Sequence, residues 1–401
     1  MFKWFMLLIY ILLCAYVISH VFRWSYKLQL RYRRVISWGL LCVMAVMASS
    51  IFLGKFLPES HVQYMILKIS NYWIGFLIYM IFFLILADLF LLVLNLIEKK
   101  WNHISYYSQM RRGYYVIGVT VIILSIGFTT YGGIHAKEIQ TAEYDITVDK
   151  SADGLDQLNV ALIADLHLGY SVGCPEMKRM VKRINDLQPD IVILAGDIFD
   201  NDYDALDDPA QLEQILKGIQ SKYGVYAVYG NHDVAETLIA GFSIGSAKKA
   251  MRDSRMDTFL ENSNIHILED ETVLVDQKFY LTGRLDGEKT GYGSLKRTSL
   301  ETLSKDWKDQ NKPVLVINHE PDHLSEYADA GVDVLLSGHT HAGQFFPLTI
   351  TCPLTWENYW GIKQVGHMYS LVTSGVGVYG PDMRVGTDSE VMYVRVHFTK
   401  E

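Results

Sequence analysis

Five short apolar runs, each breaking off at a polar turn, constrain this chain more than any other feature. "LNVALI" runs into "ADLH" (164–167), "DIVIL" into "AGDIFD" (195–200) and "GVYAV" into "YGNHD" (229–233). "PVLV" runs into "INHE" (317–320) and "VDVLL" into "SGHTH" (337–341). Short apolar runs bounded by turn signals are the mark of buried strands. Between them, "CPEMKRMVKRINDLQ" sets Met177, Met180, Val181, Ile184 and Leu187 at helical spacing. "PAQLEQILKGIQSKY" and "PDHLSEYADAG" are predicted as further helices, "EYDITV" as an edge strand, and "HIL…TVLV…FYLTGR" and "SEVMYVRVHF" as antiparallel additions. The expectation is an α/β domain. Ligands of α/β sheets bind beyond the carboxyl ends of strands, so the five turns should converge on one site.

Those turns carry seven candidate metal ligands: Asp165, His167, Asp197, Asn231, His319, His339 and His341. Carboxylate with imidazole suits Zn, Mn or Fe, and the lack of thiolates argues against a structural zinc site. Seven ligands exceed one tetrahedral ion and fit two that share a bridging carboxylate. Strand alternation in D-x-H predicts Asp165 and His167 on one face. Gly196 is expected to give a sharp turn before Asp197, and Gly338 to permit the bend before His339 and His341. Each turn alone has an ordinary explanation as a capping or hydrogen-bonding element. Five in a fixed order, each behind a buried strand, make coincidence a poor account.

The order D-x-H (Asp165, His167), G-D-x-x-D (Gly196 to Asp200), G-N-H-D (Gly230 to Asp233), a solitary histidine (His319) and G-H-x-H (Gly338 to His341) resembles the calcineurin-like metallophosphoesterase superfamily. The likeness covers about Asn159 to Phe398. The "GHTHAGQ" ending and the apolar N-terminal region resemble its branch of membrane-associated bacterial phosphodiesterases. The resemblance implies a two-sheet β-sandwich flanked by helices and a phosphoesterase activity with two divalent cations. Asp165, His167 and His341 would hold one cation, and Asn231, His319 and His339 the other, with Asp197 bridging. His232 would contact the phosphoryl oxygens and assist the leaving group, which slightly favours diesters. A hydroxide bridging the two ions would attack phosphorus in line while the ions neutralise the charge that builds there.

Weaker expectations surround this set. Asp200 and Asp233 either orient the ligands or the His232 ring or cap a following helix. Arg284 and Asp286 either flank the site, with Arg284 on phosphate, or form a surface turn. His323 is expected as a solvated helix residue, and His367 has no assignment. The aromatic stretch Phe345–Gly361, with Trp356, Tyr359 and Trp360, is a lid, a lipid-facing surface or ordinary packing; the sequence leaves these open.

The N-terminal third has a different composition. Residues 1–136 carry 12 Lys and Arg against 3 Asp and Glu, net +9, while the remainder carries 24 against 41, net −17. An acidic domain of that charge repels polyanions, so nucleic acid is not an expected partner. Four apolar stretches, about 4–22, 36–56, 73–97 and 114–131, are long enough to cross a bilayer. The first lacks a small-x-small cleavage site and is read as a retained span. The predicted organisation is therefore a transmembrane anchor (1–136), a linker with the first edge strand (137–157) and a catalytic domain (158–401). Arg23, Lys27, Arg31, Arg33 and Arg34 follow span one, and Lys99, Lys100, Arg111 and Arg112 follow span three. These basic loops predict a multi-pass cell-membrane protein with both termini and the catalytic domain outside the cytoplasm. Asp88 lies inside the third stretch and is either functional or paired with another helix; no second charged group is expected on the other spans. Cys14 and Cys42 are expected in the membrane, while Cys174 and Cys352 are either free thiols or a disulfide.

The leading expectation is a membrane-anchored phosphoesterase acting on phosphate esters, diesters or lipid-linked envelope phosphates among them. The alternative is a membrane sensor or scaffold that binds metal without turnover. A transporter, resting on Asp88, ranks third.

Overall fold

The computed structural model describes residues 2–27, 31–58, 60–101, 107–235, 238–239, 242–243, 252–287, 296–309 and 311–399. The chain divides into two compact units: Met1–Gly133 with Gly380–Met383, and Ile134–Tyr379 with Arg384–Glu401.

The first unit holds four helices, α1 (Phe2–Lys27), α2 (Arg33–Phe56), α3 (His61–Trp101) and α4 (Tyr107–His135). Each contains a stretch long and apolar enough to cross a membrane: Phe5–Tyr26, Arg33–Gly54, His61–Leu94 and Val116–His135. The helices overrun the apolar cores read from sequence, because a helix continues through its basic flanks. Arg23 and Lys27 therefore lie on α1, Lys55 on α2 and Lys68 on α3. Of the two readings of Asp88, pairing with another helix is the one seen, and Arg23 within the apolar stretch of α1 corrects the expectation that no other span carries a charged group. Tyr16 Oη donates to Asp88 Oδ2 at 2.6 Å, His20 Nε2 lies 4.0 Å from the same carboxylate, and Arg23 Nη2 reaches His20. An interhelical polar contact accounts for Asp88 without transport.

The second unit begins with β1 (Ile139–Val148), β2 (Gln157–Ile163), α5 (Cys174–Leu187), β3 (Ile191–Ala195), α6 (Pro209–Leu216) and β4 (Val225–Val228). A two-residue pair, β5 (Leu238–Ile239) and β6 (Phe242–Ser243), precedes α7 (Ser254–Asn262), β7 (Ile265–Ile267), β8 (Glu271–Val275) and β9 (Phe279–Gly283). Then come α8 (Leu300–Leu303), β10 (Val314–Ile317), α9 (Leu324–Asp329), β11 (Val334–Ser337), α10 (Leu348–Thr355), β12 (Gly361–Val365), β13 (Met368–Val372) and β14 (Ser389–Phe398).

Two mixed six-stranded sheets result, ordered β1-β14-β2-β3-β4-β7 and β12-β13-β11-β10-β9-β8. Alternation along each strand splits its side chains between two cores. Leu158, Val160, Leu162, Ile191 and Ile193 of the first sheet meet Leu281, Leu315, Ile317, Val334 and Leu336 of the second in the middle layer. The opposite face of the first sheet (Ala161, Ile163, Val192, Leu194) packs on Met177, Met180 and Ile184 of α5 and Phe259 of α7. The outer face of the second sheet (Tyr280, Val314, Val316, Leu335) packs on Leu324 and Tyr327 of α9. This is the expected two-sheet sandwich flanked by helices.

Three local expectations change. The "HIL" strand, β7, pairs parallel with β4, and β14 is antiparallel to β2 but parallel to β1. The helices α6 and α9 are shorter than their apolar spacing, α6 giving way at Lys217–Gly218. Cys174 and Cys352 are both buried free thiols, so no disulfide joins them.

Candidate metal centre

The strands β2, β3 and β4 run parallel, as do β10 and β11, so each group delivers its polar turns to one edge of its sheet. Backbone bonds then lace the turns together. Asp165 N donates to Gly196 O, His167 N to Asp197 O, Asn201 N to His232 O and Gly338 N to His319 O. Asp233, fully buried, accepts from Phe199 N at 2.8 Å and Gly230 N at 2.7 Å. It ties two turns together rather than orienting the His232 ring or capping a helix.

Five of the seven candidate ligands sit in the left-handed backbone region: Asp165 (φ 53°), His167 (45°), Asp197 (52°), His339 (73°) and His341 (51°). Such positions cost about 1–3 kcal/mol each and persist where the surroundings over-determine them. This corrects the origin of the D-x-H geometry. β2 ends at Ile163, and Asp165 and His167 share a site through a turn, not through strand alternation. Gly196 bends as expected with a positive φ (88°), whereas Gly338 is outside the positive-φ region and its chain turns through Thr340 N donating to Gly338 O at 2.9 Å. A Cβ at Gly338 would lie 2.3 Å from Ala164 Cβ and 2.8 Å from Asp165 Oδ2, so this glycine permits close approach of two turns.

Four donor atoms meet at one point. His319 Nδ1 donates to Ala195 O at 2.7 Å, which turns Nε2 inward. It faces Asp197 Oδ2 at 3.1 Å, Asn231 Oδ1 at 3.2 Å and His339 Nδ1 at 3.2 Å, and Asn231 Oδ1 lies 3.1 Å from His339 Nδ1. A single proton on Nε2 can serve only one of these acceptors. A second set adjoins it: His167 Nε2 lies 3.1 Å from His341 Nε2, and Asp165 Oδ1 lies 3.8 Å from His341 Nε2. Asp197 lies beside both sets. Its Oδ1 accepts the His232 N–H at 2.7 Å, while Oδ2 lies 3.1 Å from His319 and 3.8 Å from His167. Asp165–His167–His341 and Asp197–His319–His339 each form a triad with metal-ligand spacing. Crowded inward lone pairs from carboxylate, imidazole and amide fit divalent cations.

The electrostatics agree with a site that attracts positive charge. Burial disfavours a charged His319, yet Asp197 beside it raises its pKa well above the ordinary histidine value. Burial likewise opposes the Asp197 carboxylate, but His319, His232 and His167 hold it well below the usual range. Burial raises Asp165 to about 6, and burial with the neighbouring His319 lowers His339 to about 3.

Around this cluster stand Asp200, which the sequence singled out, and several residues that it did not. Asn201, 1% exposed, places Oδ1 2.5 Å from His232 Nδ1 while its Nδ2 donates to Val234 O at 3.1 Å. That second bond settles which way the amide points, so His232 Nδ1 is the donor. Asp200 stands behind the ligands, its Oδ1 3.6 Å from His167 Nδ1 and 4.0 Å from His232 Nδ1. Arg384, fully buried, donates to the carbonyls of Ser374, Gly375 and Gly377 and reaches His341 O. Tyr379, in a sixth turn after β13, packs its ring, tilted by 58°, 4.5 Å from His232. Gln344 holds that turn by exchanging two bonds with the Tyr379 backbone.

Other expected positions fall elsewhere. Arg284 is buried between Asp270 (3.4 Å), the Thr298 carbonyl (2.9 Å) and the Tyr327 ring, and it does not join the cluster. Asp286 is buried, and its charge contributes to the raised His319 pKa. His323 is exposed and precedes α9 instead of lying within it, 3.6 Å from Asp322 and 3.5 Å from Glu326. His367 is exposed in the turn between β12 and β13. In the aromatic stretch, the Trp356 ring packs edge-on against His339 at 4.8 Å.

Residues 158–343 match the calcineurin-like phosphoesterase family, a range that holds all seven candidate ligands and His232. The chain carries a metallophosphoesterase domain. It is 29% identical to a zebrafish (Danio rerio) protein named transmembrane protein with metallophosphoesterase domain, over 68% of this chain and 61% of that one. A bovine (Bos taurus) protein of the same name is 28% identical over 62% of this chain and 54% of its own length. This chain thus matches less than two thirds of either relative. A metallophosphoesterase of Aquifex aeolicus is 28% identical over 69% of this chain and 98% of its own length. The names of the first two relatives pair a transmembrane protein with a metallophosphoesterase domain.

Proposed function

We propose that this protein is a membrane-anchored, dinuclear metallophosphoesterase that hydrolyses phosphate esters, with diesters as the preferred class. The observation that carries the proposal is Asp197 Oδ2, within reach of His319 on one side and His167 on the other. Asp165, His167 and His341 would hold one divalent cation and Asn231, His319 and His339 the other, with Asp197 shared. Mn, Zn and Fe suit this donor set. Bound there, two such ions would act as Lewis acids toward the phosphoryl group and lower the pKa of water.

The chain's own residues supply the rest. The laced turns fix the seven ligands, five of them in left-handed backbone conformations that they would not hold alone. Asn201 accepts from His232 Nδ1 and so turns Nε2 to the ester, where a second proton, carried on Nε2 in the imidazolium, would pass to the departing oxygen and leave the ring neutral. Tyr379, beside His232, would border the ester, and the buried walls would limit water to the attacking molecule. The four apolar helices would each cross the bilayer, and the positive-inside rule would place the domain outside the cytoplasm. A lipid-linked or envelope phosphate ester suits that setting.

The test is His232→Ala in the full chain. Its turnover of phosphodiesters should fall by about 10²–10⁴-fold with bound metal unchanged. The loss should be larger for an alkyl than for a nitrophenyl leaving group, which departs without a proton. Equal turnover in variant and wild type would remove His232 from the chemistry.

A further inference from the structure

Among the described residues from 136 to 399, the exposed large hydrophobic side chains fall in one stretch: Leu348, Ile350, Leu354, Trp360 and Ile362. Leu354 is 84% exposed and Ile350 59%. No Asp, Glu, Lys or Arg occurs from Val334 to Trp356, and Glu357 and Lys363 then form a charged rim. A soluble face gains nothing from concentrating apolar surface in this way, and such patches mark interaction sites.

The element that displays these residues is fixed to the metal centre. A Cβ at Gly343 would lie 2.8 Å from the Thr349 backbone, so α10 rests directly on the turn that carries His339 and His341. Cys352 is buried with Sγ 3.8 Å from Thr340 O, and Thr340 Oγ1 donates to Tyr359 O at 2.6 Å. Trp356 packs on the His339 ring. The apolar side chains are thus presented by a packed support.

The chain itself names what covers this face. It has four helices of membrane-crossing length, and only Ala136, Lys137 and Glu138 separate the last span from β1. With these helices in a bilayer, as proposed above, its surface is within reach of the domain. An uncharged Leu, Ile, Thr and Trp surface rimmed by charge has the composition of elements that settle at the headgroup boundary. We propose that α10 and the start of β12 dock into that bilayer and bring the metal centre to phosphate esters of lipids. The second half of this proposal rests on the phosphoesterase reading; the docking does not.

The test uses the full chain in phosphatidylcholine–phosphatidylglycerol nanodiscs containing a phospholipid with a photoreactive acyl chain. Irradiation followed by peptide mass spectrometry should find lipid adducts on 345–363 as well as on the apolar helices. With Ile350→Lys and Leu354→Lys together, adducts on 345–363 should fall about tenfold while those on the helices persist. Both positions are exposed, and unchanged hydrolysis of a soluble aryl phosphate would show that the fold is intact. Adducts on the helices but not on 345–363, as expected if a partner protein covers the patch, would overturn the docking. Adducts on 345–363 without hydrolysis of any ester would uphold docking and overturn the phosphoesterase reading. Hydrolysis of a lipid-embedded phosphate ester at wild-type rate in the double variant would overturn the delivery role.

Discussion

Asn201 shows how a single side chain can matter without a motif to announce it. Its amide is clamped by the Val234 carbonyl, so Oδ1 can only accept from His232 Nδ1. Replacing it with Ala should free the ring and lower turnover by about 10–100-fold, with metal content unchanged. Asn201→Asp keeps an acceptor at the same place and should recover most of the activity. Loss of bound metal in Asn201→Ala would instead make Asn201 a support of the ligand turns. At this scale the sequence was informative about ligands and poor about their neighbours. The seven candidates were legible because carboxylate and imidazole recur at the ends of apolar runs. Asn201 follows Asp200 directly, and its adjacency was the one signal available. Tyr379 and Arg384 sit outside the five motif turns, so only the fold brings them to His232 and His341.

At the scale of elements, hydrophobic patterning identified the strands well because they are buried on both faces. β2, β3, β4, β10 and β11 all lie where the apolar runs placed them. Pairing direction was harder to read. β7 is three residues long, and nothing in "HIL" distinguishes a parallel partner from an antiparallel one. Helix lengths erred in both directions for one reason: apolar spacing records which face is buried, not where the backbone stops. The fourth helix continues to His135 beyond the predicted apolar core, whereas α6 stops near Gly218 although apolar spacing continues. The strained turns were not legible either. Strand geometry and a left-handed turn can both put Asp165 and His167 in one site, and only the backbone angles separate them.

For the molecule as a whole, charge and hydropathy divide the chain before any fold is known: a basic apolar third and an acidic remainder. That division agrees with two compact units, and the orientation follows from where the basic residues lie. Arg23, Lys27, Arg31, Arg33 and Arg34 cluster at the junction of the first two helices. If they face the cytoplasm, a C-terminal reporter active only in the cytoplasm should stay silent, and a bright reporter would reverse the topology. The central claim is that the cluster around Asp197 turns over phosphate esters with bound divalent metal. The most direct measurement is release of nitrophenol from an aryl phosphodiester by the full chain in nanodiscs, after chelation and after return of Mn. The expected result is turnover that chelation abolishes and Mn restores, with none in Asp197→Asn. A wild-type chain that holds two metal ions and hydrolyses neither mono- nor diesters would contradict the account and leave a sensor in place of an enzyme.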